Sequence, residues 1–249
     1  MKHRFSPSGY TLIELALVVV ILGILASVAL RTMQGATDLA RTERTRQVLD
    51  RIAYAIAGNP ALVSGGGRID FGYIGDVGSL PPNLDALAQN PGGYSTWHGP
   101  YLHDEYTSPS ANVGFRIDAW GKAFNYAGGV TITSTGGGSP ITRRVADSPA
   151  ILLSNQVIAV ITDLDKNLPG EVFSDSVQVL LTVPNGSGST TIKLRHPDAN
   201  GYVQFDSIPI GLHDLRVVYA PTHDTVYRKA AVIPGRQIYS EISLFRKVW

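Results

Sequence analysis

The dominant feature of the hydrophobic pattern is an unbroken apolar run from Leu15 to Leu30 near the start of the chain. With the four residues from Tyr10 to Ile13 it reaches the length of about 20 residues that a membrane-spanning helix needs. Beyond it, apolar residues recur at helical spacing between arginines: Met33, Ala36, Leu39, Ala40, Val48, Leu49, Ile52, Ala53 and Ile56. Gly58, followed by Asn59-Pro60, is a stop signal. The pattern predicts one helix over residues 10–58, with a transmembrane part over 10–30.

The last part of the chain changes to short β-type runs separated by turn signals such as Asn185-Gly186 and Asn200-Gly201. Seven runs are visible: Val157 to Thr162, Val177 to Val183, Thr190 to Arg195, Tyr202 to Asp206, Asp214 to Ala220, Val226 to Ile233 and Ile238 to Phe245. Seven short strands separated by turn signals are typical of a β-sandwich. We expect an α+β protein with a long N-terminal helix, a small antiparallel sheet within residues 59–155 and a seven-stranded sandwich over 156–249.

Composition and charge exclude several classes of function. The chain has no cysteine and a net charge of +1, so it forms no disulfide and gives no electrostatic support for nucleic-acid binding. Its six histidines form no ligand cluster, and no motif for nucleophilic or phosphate chemistry is present. Asp163, Asp165 and Asn167 alternate like a calcium loop, but the glycine and glutamate of such a loop are missing, which favours a turn. We therefore expect no catalysis, no cofactor and no metal.

The segment Ser8-Gly9-Tyr10-Thr11-Leu12-Ile13-Glu14 directly precedes the apolar run. It resembles the N-terminal signature of type IV prepilins and of type II secretion pseudopilins. The resemblance implies that a basic leader, residues 1–9, is removed after Gly9 and that the new N-terminal Tyr10 is methylated. It also implies that Glu14, together with Thr11, serves filament assembly by neutralising a neighbour's terminal ammonium. A carboxylate in an apolar helix is costly in lipid, which marks Glu14 as functional on physical grounds as well.

An ordinary secretory signal is the alternative for this segment, with Leu25-Ala26-Ser27 imitating a cleavage site. Glu14 and the helical pattern beyond residue 30 argue against it. Without cleavage the chain would be a single-span anchor protein. Gly23 matches a glycine of the family, whereas Arg31 replaces the proline that many members have, so melting of the helix in a filament is left open.

A second set of motifs lies in the middle of the chain. Trp97-His98-Gly99-Pro100-Tyr101-Leu102 is followed by Asp118-Ala119-Trp120-Gly121-Lys122-Ala123-Phe124-Asn125-Tyr126, and a short helix is expected before them over Asn83 to Gln89, opened by two prolines. This order resembles the major pseudopilin, with Ala119 where proline is usual. The motifs are structural: Gly121 permits a turn, Asp118 satisfies its backbone donors, and Trp120, Phe124 and Tyr126 pin a small sheet onto the helix. The family's calcium loop is expected to be absent, since Asp147 is the one carboxylate in the corresponding region.

The segment Asp198 to Phe205, with Ile208-Pro209-Ile210-Gly211 after it, resembles the carboxypeptidase regulatory-like (transthyretin-like) modules. The resemblance implies a non-catalytic accessory sandwich.

These observations favour a structural subunit of a pilus-like filament, either a pseudopilin or a type IV pilin. The expected partners are identical or homologous pilin subunits, a prepilin peptidase, the inner-membrane assembly platform and the membrane itself. The expected location is the bacterial inner membrane, with a single pass and a periplasmic globular part, and then a filament. A filament-displayed adhesin acting through the sandwich is the second hypothesis, and a membrane-anchored enzyme ranks last.

Overall fold

The computed structural model describes residues 11–103 and 114–249. Helix α1 (Leu12–Ala57) occupies 46 of them and starts after Thr11, whose side chain caps it. It is roughly 70 Å long at the rise of an α-helix. It runs without a break past Arg31 and ends at Gly58, whose φ of 80° lies in the region that favours glycine. The predicted helix is thus present, with its end where the Gly58 signal placed it.

The two parts of α1 have different surroundings. Every residue from Thr11 to Arg41 is exposed. Burial begins at Thr45 and continues along one face through Leu49, Ile52 and Ile56, each at most 1% exposed. Of the apolar stripe predicted beyond the transmembrane part, the residues from Val48 to Ile56 are covered by the chain's own globular part, whereas Met33, Ala36, Leu39 and Ala40 are exposed.

The first globular unit surrounds this buried stripe with short elements. In chain order they are β1 (Val63–Ser64), β2 (Gly67–Arg68), α2 (Gly72–Val77), a 3-10 turn (Leu84–Leu87), a second 3-10 turn (Gly114–Arg116), β3 (Thr131–Ser134), β4 (Ile141–Arg144) and α3 (Pro149–Leu153). Strands β1 and β2 form one antiparallel hairpin, and β3 and β4 form another. The helix expected over 83–89 is a 3-10 turn capped by the Asn83 side chain, which accepts from the Ala86 N–H at 3.1 Å. The prolines before it therefore do not open the turn.

The core of this unit joins α1 to α2 and to the loops that follow. Four side chains are fully buried there: Tyr73 and Ile74 of α2, Leu87 of the first 3-10 turn and Ile132 of β3. Phe124, which is 7% exposed, belongs to the same core. Tyr126 packs at its edge. Trp120 does not join this core: it is half-buried, and its ring lies against Gly137. The expectation that these aromatics connect the sheet to the helix holds for Phe124 and Tyr126 through the core, whereas Trp120 lies in a separate cavity lined by Thr42 and Arg46 of α1 and by Ile141 of β4.

The C-terminal unit contains all seven predicted strands. They are β5 (Asn155–Thr162), β6 (Val177–Pro184), β7 (Thr190–Arg195), β8 (Tyr202–Ile208), β9 (Gly211–Tyr219), β10 (Asp224–Val232) and β11 (Ile238–Ser243), with a one-turn helix α4 (Gly170–Phe173) and a 3-10 turn (Ser174–Ser176) between β5 and β6. One sheet has the order β10-β9-β6-β7 and the other β11-β5-β8. All pairs are antiparallel except β11 with β5, which run parallel. The two sheets enclose a second apolar core, as a sandwich requires.

The sandwich docks on the first unit through one of its ends. Ile210, in the loop between β8 and β9, is fully buried in the core of the first unit rather than in that of the sandwich. Backbone and side-chain hydrogen bonds cross the same junction: Gly186 N–H to Val77 O at 2.8 Å, Ser79 Oγ to Gly186 O at 3.2 Å, Ser95 N–H to Gly188 O at 2.9 Å and Ile210 N–H to Leu152 O at 2.8 Å. The two units therefore share apolar and polar contacts.

Candidate functional site

The N-terminal end of α1 carries a reciprocal cap made by Thr11 and Glu14. The Thr11 hydroxyl accepts from the Glu14 N–H at 3.3 Å, and Glu14 Oε2 accepts from the Thr11 N–H at 3.4 Å. This is a capping box, which satisfies two helix-terminal donors and places a negative charge at the positive end of the helix. Gly9 and Tyr10, the residues assigned to processing and methylation, lie outside the described residues.

The surface behind this cap is apolar on every side. Large hydrophobic side chains between 47% and 89% exposed follow it: Leu12, Ile13, Leu15, Leu17, Val18, Val19, Val20, Ile21, Leu22, Ile24, Leu25, Val28 and Leu30. By length and composition α1 is able to cross a membrane, and none of its apolar window is buried by the described residues. An apolar surface of this size marks a lipid or protein contact.

The W-H-G-P-Y-L segment is bound to the 3-10 turn and to α2. Its peptide bond Gly99–Pro100 is cis. The Tyr101 N–H donates to Leu87 O at 2.8 Å, and the Tyr101 hydroxyl donates to Asp76 Oδ2 at 2.7 Å. Burial raises the pKa of Tyr101 far above its ordinary range, and the bond to Asp76 adds to this, so the phenol stays protonated. The segment acts as a structural clasp between two elements of the first unit.

The Asp118 carboxylate organises the second motif. Its Oδ1 accepts from the N–H groups of Trp120 at 3.0 Å and Lys122 at 2.9 Å, and its Oδ2 accepts from Ser134 Oγ at 2.7 Å and from the Gly136 N–H at 2.9 Å. Burial raises the pKa of Asp118, but these four hydrogen bonds outweigh it and lower the pKa below its usual value. Gly121 closes the same turn with a φ of 83°. The carboxylate links the turn to the β3 hairpin, as expected of an Asx residue, and all of its bonds are internal.

Thr45 connects this turn to α1. Its buried hydroxyl accepts from the Ala119 N–H at 3.1 Å. A proline at position 119 would have no N–H to donate. The departure from the family pattern at Ala119 therefore coincides with a hydrogen bond that only a non-proline residue can make. No pattern around Thr45 in the sequence indicated this role.

The candidate calcium loop in the sandwich is a turn held by its own donors. Asp163 is fully buried, and its Oδ1 accepts from the N–H groups of Asp165 and Asn167, each at 2.9 Å. The Asn167 amide donates to Asp163 Oδ2 at 3.2 Å, and Asp165 pairs with Lys247 at 3.1 Å. Within 11–103 and 114–249, no group of three histidine or acidic side chains is placed to hold a metal ion.

Comparisons with known proteins agree with the N-terminal site. Residues 4–30 match the family model described as the prokaryotic N-terminal methylation motif. The chain is 27% identical to the type II secretion system core protein G of Xanthomonas campestris pv. campestris over 124 residues, which is 49% of this chain and 77% of that protein.

Similarity to solved structures is confined to parts of the chain. A DUF3823 family protein from Parabacteroides merdae overlaps 37% of this chain and 45% of its own, at 15% identity and a TM-score of 0.25. BcpA, the major pilin subunit of Bacillus cereus, overlaps 46% of this chain and 36% of its own, at 14% identity and a TM-score of 0.26. The chain thus spans less than half the length of either structure, and TM-scores this low do not establish a shared fold.

The methylation motif, the exposed apolar helix behind it and the similarity to a secretion core protein together confirm the resemblance: they support a type IV pilin or pseudopilin with a β-sandwich at its C-terminus.

Proposed function

We propose that this protein is a structural subunit of a pilus-like filament, made as a precursor, cleaved after Gly9 and methylated on Tyr10. The observation that carries the proposal is the division of α1. Its first half is apolar and exposed on all sides, whereas its second half is buried against the globular part. A helix of this kind anchors the subunit in lipid before assembly and packs against copies of itself afterwards.

The division of the chain follows from the same proposal. Residues 1–9 form the leader, 10–58 the assembly helix, 59–155 the pilin-like unit and 156–249 the accessory sandwich. Lys2 and Arg4 in the leader favour a cytoplasmic N-terminus by the positive-inside rule. The helix then crosses the inner membrane once and leaves the globular part in the periplasm. A prepilin peptidase and an inner-membrane assembly platform act on the N-terminal end.

Glu14 has two roles in this scheme. In the monomer its carboxylate is held by the helix cap with Thr11. In the filament it pairs with the Tyr10 ammonium of a neighbouring subunit. A charge in an apolar environment is stable only when it is paired. The change of partner from Thr11 to the neighbour's ammonium therefore favours the assembled subunit.

Processing is tested by the intact mass of protein extracted from membranes. We expect a chain that begins at Tyr10 and carries a methyl group, and a Gly9→Leu variant should retain residues 1–9. The matched control is Ser8→Ala, which changes the neighbouring leader residue and should be cleaved normally. A chain that begins near Ser27 would show that the segment is an ordinary secretory signal.

Assembly is tested with Glu14→Ala. We expect the variant to insert into the membrane and fold but to form few or no filaments, because the partner of the neighbour's ammonium is missing. Glu43→Ala, which removes an exposed carboxylate further along the same helix, is the matched control. Electron microscopy of sheared filaments gives the yield, and normal filaments from Glu14→Ala would contradict the assembly role.

The similarity to a type II secretion system core protein favours a pseudopilus over an extracellular pilus. The comparisons give no support to the second hypothesis of a displayed adhesin.

A further inference from the structure

The outer face of the three-stranded sheet carries a trough that the filament role does not use. Its floor is Ile158 and Val160 on the central strand β5, whose side chains point away from the sandwich core. The register places Tyr239 of β11 beside Ile158 and Tyr202 of β8 beside Val160. Ile158 is only 7% exposed although it faces outward, so the flanking side chains cover it.

The two tyrosine rings stand at opposite corners of this trough. Tyr239 is 65% exposed and Tyr202 is 38% exposed. They are two strands and two residues apart, which separates their Cα atoms by roughly 12 Å. Tyrosine provides a large flat contact area with few rotatable bonds, so little entropy is lost when a ligand stacks on it.

A hydrogen-bonded ladder of planar side chains runs along two sides of the trough. The Tyr202 hydroxyl donates to Gln204 Oε1 at 2.7 Å, and the Gln204 amide donates to Asp206 Oδ1 at 2.8 Å. The Gln156 amide donates to the same oxygen at 2.9 Å, and the Gln237 amide donates to Gln156 Oε1 at 3.1 Å. These bonds fix the side chains before any ligand arrives, and this lowers the cost of binding.

Some donors and acceptors of the ladder side chains are not used within the ladder. Each amide has two N–H donors and an oxygen with two lone pairs, and the ladder uses one donor of each of its three amides. The bonds within the ladder use only Oδ1 of Asp206. The remaining groups suit a ligand with many hydroxyls, each able to donate and to accept.

Charge and topology restrict the class of ligand. Asp206 belongs to the ladder, and the nearby Glu241 is paired with Lys166 at 2.7 Å. Lys193, the cation beside Asp206, donates to the backbone oxygens of Asp206 at 2.8 Å and Ser207 at 3.2 Å, so these charges do not form a cationic surface for a polyanion. Strand β5 is hydrogen-bonded on both sides, so a peptide cannot join it as an added strand. We propose that this trough binds a neutral oligosaccharide, stacked on Tyr239 and Tyr202 and hydrogen-bonded to the ladder. The proposal is independent of the filament role.

The test is calorimetric titration of the full-length protein with cellohexaose, maltohexaose and chitohexaose. The protein is kept in a zwitterionic detergent, since detergents with sugar head groups would compete. We expect saturable binding of at least one hexasaccharide, weakened at least about tenfold by Tyr239→Ala or Tyr202→Ala, the loss typical of an aromatic anchor. Tyr239→Phe keeps the ring and should bind as the unmodified protein does.

Tyr227→Ala is the matched control. Tyr227 is 69% exposed on the outer face of the other sheet, where its cross-strand neighbour is Arg216 rather than an amide. This variant should bind normally, and far-ultraviolet circular dichroism confirms that every variant is folded. Absence of binding to all three hexasaccharides overturns the proposal, and so does binding that Tyr239→Ala and Tyr227→Ala weaken equally.

Discussion

The two halves of α1 are continuous in the backbone and opposite in their surroundings. From Thr11 to Arg41 the helix touches no other part of the described chain closely enough to bury a side chain, although most of its residues are apolar. From Thr45 to Ala57 one face is buried by α2, the 3-10 turn and β4. Most helical stability in proteins comes from such tertiary packing.

The difference separates folding from assembly along a single helix. The apolar surface of the second half is buried within the subunit, so substitutions there change the stability of the monomer. The first half keeps its apolar surface for lipid or for other subunits, so substitutions there leave the monomer intact and act on insertion and assembly. Truncating an apolar side chain should therefore lower monomer stability in the second half and impair insertion or assembly in the first half.

The largest expected effect comes from Ile52→Ala. Ile52 is fully buried, and removing three carbons from such a site costs about 2–5 kcal/mol of unfolding free energy. Ile24→Ala, at a position 58% exposed on the same helix, is the matched control and should leave that free energy unchanged. Urea unfolding in detergent, followed by tryptophan fluorescence, measures both. Equal destabilisation by the two variants would show that the first half also packs within the monomer.

Ile210→Ala extends the comparison to the C-terminal unit. Ile210 enters the same core as the buried half of α1, so the intact chain should lose about 2 kcal/mol. In an excised fragment 156–249 the side chain has no such core around it, so the same substitution should change stability little. A fragment that shows a cooperative transition and tolerates Ile210→Ala supports the proposed boundary. A fragment without any cooperative transition would mean that the two units fold as one.

The sequence predicted most of the fold because its signals were periodic or specific. The end of α1 at Gly58 and all seven sandwich strands were predicted from patterns that act over a few residues. The short elements α2 and β1-β2 were missed, since six and two residues carry no usable periodicity. The position of Trp120 outside the main core was not predicted, because composition does not show which side of a turn an aromatic ring occupies.

Contacts between distant segments could not be predicted at all. The bond from Ala119 to Thr45 joins residues 74 positions apart, and the Ile210 contact depends on how two units meet. The N-terminal site could be recognised from the sequence, because its residues lie within one short motif that matches a family model: Gly9, Tyr10, Thr11 and Glu14.

A smaller effect is expected from Thr45→Val, where burial on α1 begins. The substitution keeps the shape of the side chain and removes the acceptor of the Ala119 N–H, which should cost about 1 kcal/mol. Thr42→Val, one turn earlier, removes a hydroxyl that bonds only to the α1 backbone and serves as the control. If the two variants lose the same free energy, the bond to the turn contributes nothing to holding α1.

The smallest effect is a pH dependence at the seam between the units. His213 is 3% exposed, and its Nε2 lies 2.8 Å from Pro209 O, beside Gly211. Burial lowers its pKa below the ordinary value of 6.5, although the contact with Pro209 O and the charge of Asp214 oppose this. A lowered histidine pKa means that the unfolded chain takes up the proton first. Stability is therefore retained above about pH 6.5 and falls as the pH drops below that value.

Urea unfolding between pH 7.5 and 5.5 isolates this group from Asp118 and Asp163. The pKa values of those two carboxyls are lowered below 3.8 by hydrogen bonds that outweigh their burial, so their stabilising contribution is lost only in stronger acid. His213→Gln should flatten the loss of stability across this window, and His223→Gln, at an exposed site on the turn before β10, should not. An unchanged slope in His213→Gln would mean that the seam opens enough to hydrate the imidazole.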